Sequence, residues 1–239
     1  MKAYQLTIIV PIFNEEGNIE RLSTQLLDYF KRSMVKTKAI LVNDGSKDSS
    51  LELIKDICTK HEEIEYISFE KNLGLSTAIK AGFDHVRTPL TGYIDADLQT
   101  DPQDFDRLLE FANDYDIVLG NRNHNRKDKT LKNMSSKIAN KVRKIFTGDE
   151  VDDTGCPLKI IKTDVAKKIP MFKGLHRFLP AMVMLQDGKL KQVDIPNYPR
   201  LAGQSKFGMR NRLLGPLLDC FAYLWMKRKY INYKIEDKS

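Results

Sequence analysis

Hydrophobic positions in the first half of the chain switch repeatedly between two spacings. Leu6 to Val10 is a short run rich in β-branched residues before Pro11, and it predicts a strand. From Asn18 to Arg32, apolar residues fall at Ile19, Leu22, Leu26, Leu27 and Phe30, which is the period of a helix. Ala39 to Val42 is the next apolar run. It ends at Asn43-Asp44-Gly45-Ser46, a turn with helix-capping chemistry. Leu51, Ile54, Ile57 and Cys58 predict a second helix, and Ile64 to Phe69 a third strand. Leu75 to Val86, after Gly74, predicts a third helix. Thr91 to Ile94 reads as a fourth strand, Phe105 to Phe111 as a helix, and Ile117 to Leu119 as a fifth strand. Repeated β-α units imply a parallel sheet covered by helices. Such sheets bind ligands in the loops that follow the strand C-termini. Pro11 to Asn14, Asn43 to Ser46 and Asp95 to Asp97 all fall on that edge.

The second half is less regular. Met134 to Phe146 predicts a basic helix and Lys189 to Tyr198 a strand. No repeat or low-complexity linker separates domains before about residue 200. Near the end, Leu213, Leu214, Leu217, Leu218, Phe221, Leu224 and Trp225 recur at three- and four-residue steps. Pro216 suits the first turn of that helix. Lys227-Arg228-Lys229 follows at once, and Trp225 and Tyr230 suit an interface. The stretch is short and carries Asp219, so it does not predict a membrane span. Two readings stay open: an interfacial amphipathic helix, or a helix packed on the core.

Composition narrows the picture. The 239 residues are 41% hydrophobic and 30% charged, which fits a soluble domain with a proper core. Leu6 to Phe13 runs straight into Asn14-Glu15-Glu16, so no secretory signal is expected. Cys58, Cys156 and Cys220 have neither metal-type spacing nor an even framework, which favours a reducing, cytoplasmic location. The net charge of +7 is uneven: residues 121–150 hold nine Lys/Arg against three acids, and residues 201–239 hold eight against three. Such clusters fit phosphorylated substrates, an anionic membrane or nucleic acid. The chain shows no zinc spacing and no RNA-binding aromatic motif, so a nucleic-acid partner is not expected.

The chemistry centres on Tyr93-Ile94-Asp95-Ala96-Asp97-Leu98-Gln99. On a strand, residues i and i+2 share a face, so Asp95 and Asp97 would concentrate negative charge where strand meets loop. Hard oxygen ligands suit Mg²⁺ or Mn²⁺, which commonly use one or two carboxylates plus substrate phosphates. The same pair on a surface loop is merely solvated.

Further motifs stand in order along the chain: Ile9 to Glu15, Val42 to Asp48, Asn72 to Ser76, Asp95 to Gln99, Gly120 to Arg122, Asp153 to Cys156 and Arg200 to Gly208. As an ordered set they resemble the family 2 glycosyltransferases with a GT-A fold, and among them the dolichol/polyprenyl-phosphate glycosyltransferases. The likeness covers roughly residues 5 to 210. It implies an α/β fold with a mostly parallel, Rossmann-like sheet. A catalytic domain would span 1–210, with an amphipathic basic segment at 211–239. Pro11, Phe13 and Glu15 match the loop around the donor's base and ribose. Asp44 matches the carboxylate that reads the base, although its residue type equally suits a helix cap or turn. Asn72 and Gly74 match a loop beside the nucleotide, or simply form a turn.

Asp95 matches a donor-contacting carboxylate, with Ala96 letting the backbone come close. The metal set is Asp97, with Gln99 and Asp95. Arg122 and Arg200 match groups that hold phosphates, since a guanidinium fork fits phosphate oxygens. Ser205 and Lys206 would continue that cradle, or lie in an ordinary loop. Asp153 sits in a motif near the acceptor, and His176-Arg177 is a further phosphate-contacting candidate or a structural pair. The implied reaction is inverting transfer from a UDP- or GDP-linked sugar to a polyprenyl phosphate, for cell-envelope glycan or glycolipid synthesis. It would take place at the inner face of the cell membrane, with room for an integral membrane partner. The alternative is transfer to a sugar hydroxyl.

Overall fold

The computed structural model describes residues 3–122, 140–196, 198, 214–232 and 236, with side chains of 214–217 left aside. Four strands and three helices alternate as expected: β1 (Leu6–Ile12), α1 (Glu16–Arg32), β2 (Thr37–Asn43), α2 (Ser50–Lys60), β3 (Ile64–Ser68), α3 (Leu75–His85) and β4 (Leu90–Tyr93). Then come α4 (Phe105–Leu109), β5 (Ile117–Asn121), a helix at 140–147 (α5), β6 (Lys159–Lys162) and α6 (Thr163–Lys167). A 3₁₀ turn at Leu175–Phe178, α7 (Leu179–Met184), β7 (Leu190–Asp194) and α8 (Leu214–Lys229) complete the order. The expected basic helix from Met134 is described only from residue 140, and the strand at Lys189 to Tyr198 is shorter, Leu190–Asp194.

The sheet has seven strands in the order β3-β2-β1-β4-β6-β5-β7. β1 is parallel to β2 and β4, and β2 to β3. β6 is the exception: it runs antiparallel between β4 and β5. β7 is parallel to β5. Hence β1 to β5 and β7 all end at one edge, and β6 begins there.

β1 shows why its run is almost wholly apolar. Leu6, Ile8, Val10 and Ile12 enter one buried cluster with α1, α2 and α4. Ile9 enters the other, with α3, α7 and the 3₁₀ turn. A strand covered on both faces favours apolar residues at every position; Thr7, also buried, meets its hydroxyl's need through Thr88 Oγ1 at 2.7 Å. Helix α1 buries Ile19, Leu22 and Leu26, the predicted stripe, against the sheet.

Helix α8 packs on the domain through residues outside the apolar stripe. Cys220 and Tyr223 are the buried residues, and Tyr223 stacks on Phe178 with ring centroids 5.8 Å apart. Asp219 pairs with Arg177 at 3.6 Å. Leu218, Phe221 and Trp225, from the predicted stripe, are 68%, 56% and 68% exposed. Among the described residues, no helix is long and apolar enough to cross a membrane.

Candidate active site

The loops after β1, β2 and β3 are stitched together by side chains that accept backbone N–H groups. Asn14 N donates to Ser46 Oγ (3.0 Å), Glu15 N to Ser50 Oγ (3.0 Å), and Lys47 N to Asn14 Oδ1 (2.8 Å). Glu15 Oε2 also accepts from Asn18 Nδ2 at 2.7 Å. These bonds hold the segment after Pro11 and Phe13 against the start of α2.

Asp44 is buried and its oxygens serve the third loop. Leu73 N donates to Oδ1 at 2.7 Å, and Gly74 N and Asn72 Nδ2 each donate to Oδ2 at 2.9 Å. Its side chain thus ties the loop after β2 to the loop after β3, with Asn72, Leu73 and Gly74 as partners, rather than capping its own turn. Gly45 explains how the loops can approach so closely. Its φ is +64°, and a Cβ there would lie 2.3 Å from the Lys71 carbonyl carbon. Only glycine fits such a position without a shift of backbone.

β4 ends at Tyr93, so Asp95 and Asp97 lie in the following turn rather than on the strand. Both are half-buried. Tyr93 Oη donates to Asp95 Oδ1 at 2.6 Å, and Gln99 N donates to Asp97 Oδ1 at 3.1 Å. Burial pushes the Asp95 carboxyl above the usual range; the Tyr93 bond and the charges of Lys159 and Arg122 act the other way. Leu98 has a φ of 59°, a left-handed residue between Asp97 and Gln99.

Among the described residues, no group of three His, Cys, Asp or Glu could hold a metal by itself. The carboxylates at this turn nevertheless fit Mg²⁺ or Mn²⁺, which keep several ligands for phosphate and water. Tyr198 N donates to Gln99 O at 3.3 Å, which brings the segment after β7 to the same turn. Arg200, Ser205 and Lys206 lie outside the described residues.

Arg122, expected from its motif to hold phosphate, is paired with Asp153 in the structure. Its Nε donates to Asp153 Oδ2 at 2.8 Å and its Nη2 to Asp153 Oδ1 at 3.1 Å, in a buried fork. Arg122 N also donates to Oδ2 at 3.3 Å. The bond to Asp153 raises the guanidinium pKa against the cost of burial. Two residues assigned separate roles thus form one unit.

His176 and Arg177 both have partners within the fold, as the structural alternative expected. His176 Nδ1 shares a 2.8 Å hydrogen bond with Ser76 Oγ, which accepts from Gly174 N at 3.1 Å, and Arg177 faces Asp219. Burial, with Arg177 and Lys159 nearby, lowers the histidine pKa to about 3. Motif reading missed Lys159, whose long side chain is fully buried. Its only sequence signal is its place a few residues after Asp153.

The family model for Glycosyl transferase family 2 matches residues 7–170. The chain is 28% identical over 237 residues to dodecaprenyl-phosphate galacturonate synthase of Rhizobium johnstonii, covering 95% of this chain and 69% of that protein. It is 31% identical over 208 residues to undecaprenyl-phosphate 4-deoxy-4-formamido-L-arabinose transferase of Shewanella sediminis, covering 86% of this chain and 62% of that one. The chain therefore spans about two thirds of the length of these relatives. Among solved structures, glucosyl-3-phosphoglycerate synthase from Mycobacterium tuberculosis, in complex with Mn²⁺, UDP-glucose and phosphoglyceric acid, superposes with a TM-score of 0.68 at 14% identity. That match covers 96% of this chain and 81% of the other. It establishes the shared GT-A architecture.

Proposed function

We propose that this chain, which belongs to glycosyl transferase family 2, transfers a sugar from a nucleotide-diphosphate sugar to a polyprenyl phosphate at a membrane surface. The observation that carries the reading is the placement of Asp95 and Asp97 in the turn after β4, at the edge where the parallel strands end, with Arg122 just past the end of β5 and the 13–15, 44 and 72–74 loops on the same edge. The named relatives that act on dodecaprenyl and undecaprenyl phosphate support the acceptor class.

In this reading the nucleotide lies on the loops of Pro11, Phe13, Glu15, Asp44, Asn72 and Gly74, with Ala96 leaving room for the diphosphate. Asp97, with Asp95 and Gln99, would hold Mg²⁺ or Mn²⁺. When bound, that ion supplies neutralisation of the diphosphate leaving group. Arg122 presents positive charge to the phosphate species, in an orientation held by Asp153. Arg200, Ser205 and Lys206 are assigned to the same phosphates on motif grounds.

A phosphate acceptor is already ionised at neutral pH, so no strong general base is required. Transfer to a hydroxyl would need one, and Asp153, in the motif near the acceptor, is the candidate base. Both of its oxygens are engaged by Arg122, which favours the phosphate acceptor.

Asp97→Ala is expected to abolish metal-dependent transfer to undecaprenyl phosphate while melting as wild type. A panel of UDP- and GDP-sugars identifies the donor. Full transfer in the presence of EDTA would sink this reading.

The membrane side rests on α8. Leu218, Phe221 and Trp225 lie one turn apart on an exposed stripe, and Lys227-Arg228-Lys229 ends the helix. Apolar side chains beside a basic cluster suit the headgroup region of an anionic bilayer. Replacing Leu218 and Trp225 with serine should reduce flotation with anionic liposomes and leave the melting temperature nearly unchanged, because these side chains are exposed; Phe221 is kept, since its ring packs edge-on against Phe146 with centroids 5.4 Å apart. Undiminished flotation would remove α8 from the membrane reading. Action from the cytoplasmic face, alone or beside an integral membrane partner, belongs to the same proposal.

A further inference from the structure

Lys159 is 2% exposed, yet it opens β6 in the middle of the sheet. It sits across from Tyr93 on β4 and Leu119 on β5. Its Nζ donates to the Cys156 carbonyl and, at 3.5 Å, to the Thr154 carbonyl. Both carbonyls belong to the turn that begins at Asp153, and Cys156 N closes that turn on Asp153 O at 3.2 Å. The Asp153 carboxylate in turn grips Arg122. On its other side, Nζ lies 5.4 Å from the centre of the Tyr93 ring, and Tyr93 bonds Asp95.

A buried ammonium is costly, and lysine is rarely found fully buried. Burial lowers its pKa here, opposed by Cys156, Asp95 and Asp153. An apolar side chain of similar volume would fill this space without that cost. What it could not do is donate to two turn carbonyls while placing a positive charge between the Asp95 and Asp153 carboxylates.

We propose that Lys159 is a positioning residue. Its ammonium pins the 153–156 turn, and through Asp153 it sets the direction in which Arg122 faces the reacting phosphates. The proposal rests on the transferase reading: absence of transfer by the wild-type chain would defeat that reading, whereas failure of this proposal shows only in how variants combine.

The test is steady-state transfer, with nucleotide sugar varied, for Lys159→Met, Lys159→Arg, Asp153→Asn and the Lys159→Met/Asp153→Asn double variant. Lys159→Met should lower kcat about tenfold or more, with KM for the nucleotide sugar within about twofold. Lys159→Arg, which keeps charge and donors, should recover kcat to within about threefold of wild type. In the Asp153→Asn background, Lys159→Met should cost less than about a further twofold, because the route to Arg122 is already cut.

Effects that multiply in the double variant would overturn the proposal. So would a loss confined to donor KM, or an arginine variant no better than methionine. Should Lys159→Met fail to fold by thermal melting, Lys159→Gln takes its place with the same expectations, since it retains a donor and loses the charge.

Discussion

The two halves of the site edge hold their polar groups by different means. After β1, β2 and β3, acceptors on Asn14, Asp44, Ser46 and Ser50 take backbone N–H groups from neighbouring loops. Around β4, β5 and β6, charged side chains face one another: Arg122 with Asp153, and Lys159 between Tyr93 and the turn carbonyls. The first arrangement spreads stability over many modest bonds and fixes loop shape. The second concentrates it in few groups, each dependent on its partner. A loop network suits recognition of a constant nucleotide. A charge network suits a place where phosphate charge must be met.

The sharpest way to break this contrast is Asp153→Ala. Removing one partner of a buried ion pair leaves the other charge uncompensated, so about 3–5 kcal/mol of unfolding free energy should be lost. Denaturant unfolding measures it, and a loss below about 1 kcal/mol would mean the pair is not truly desolvated.

Asp44→Ala probes the other half. Leu73 N and Gly74 N lose an acceptor, but these loops lie near solvent and can relax. About 1–3 kcal/mol should be lost. Faster amide hydrogen exchange confined to Leu73 and Gly74 would sharpen the contrast, while exchange spreading to β4 would blur it.

The smallest effect concerns His176, beneath both halves. Its folded pKa, about 3, lies below the ordinary 6.5. The unfolded chain therefore binds the extra proton first. Stability from this group is fully present above pH 6.5 and is lost as pH falls toward 3, by about 1.4 kcal/mol at pH 5.5. His176→Gln should flatten that part of the stability profile. An unchanged slope would place the acid sensitivity on other groups.

Much of the first half was legible because its strands and helices carry their period locally. The stripe Ile19, Leu22, Leu26 is buried in α1, and the run Leu6 to Val10 is buried in β1. The edge position of Pro11 to Asn14, Asp44 and Asp95 followed from the strand ends. β6 was not legible. It is Lys159-Ile160-Ile161-Lys162, four residues with lysine at both ends. It becomes a strand because β4 and β5 leave a slot between them, and nothing local reports that slot.

Sequence pattern also identified an apolar stripe on α8, but not its surroundings. The helix docks through Cys220 and Tyr223 because Phe178 and Arg177 meet it there. Leu218, Phe221 and Trp225 of the stripe remain outside.

By itself, then, the sequence determined the alternating architecture, the family, and the carboxylates Asp95 and Asp97 at the strand edge. Those features are written in spacing of a few residues and in ordered motifs. Only the tertiary structure decided that Arg122 would be held by Asp153, 31 residues away, that Lys159 would be buried against turn carbonyls and the Tyr93 ring, and that α8 would expose Leu218, Phe221 and Trp225. Each depends on which distant groups share a small volume. In such a volume, the cost of burying a charge is decided by its partners rather than by its own residue type.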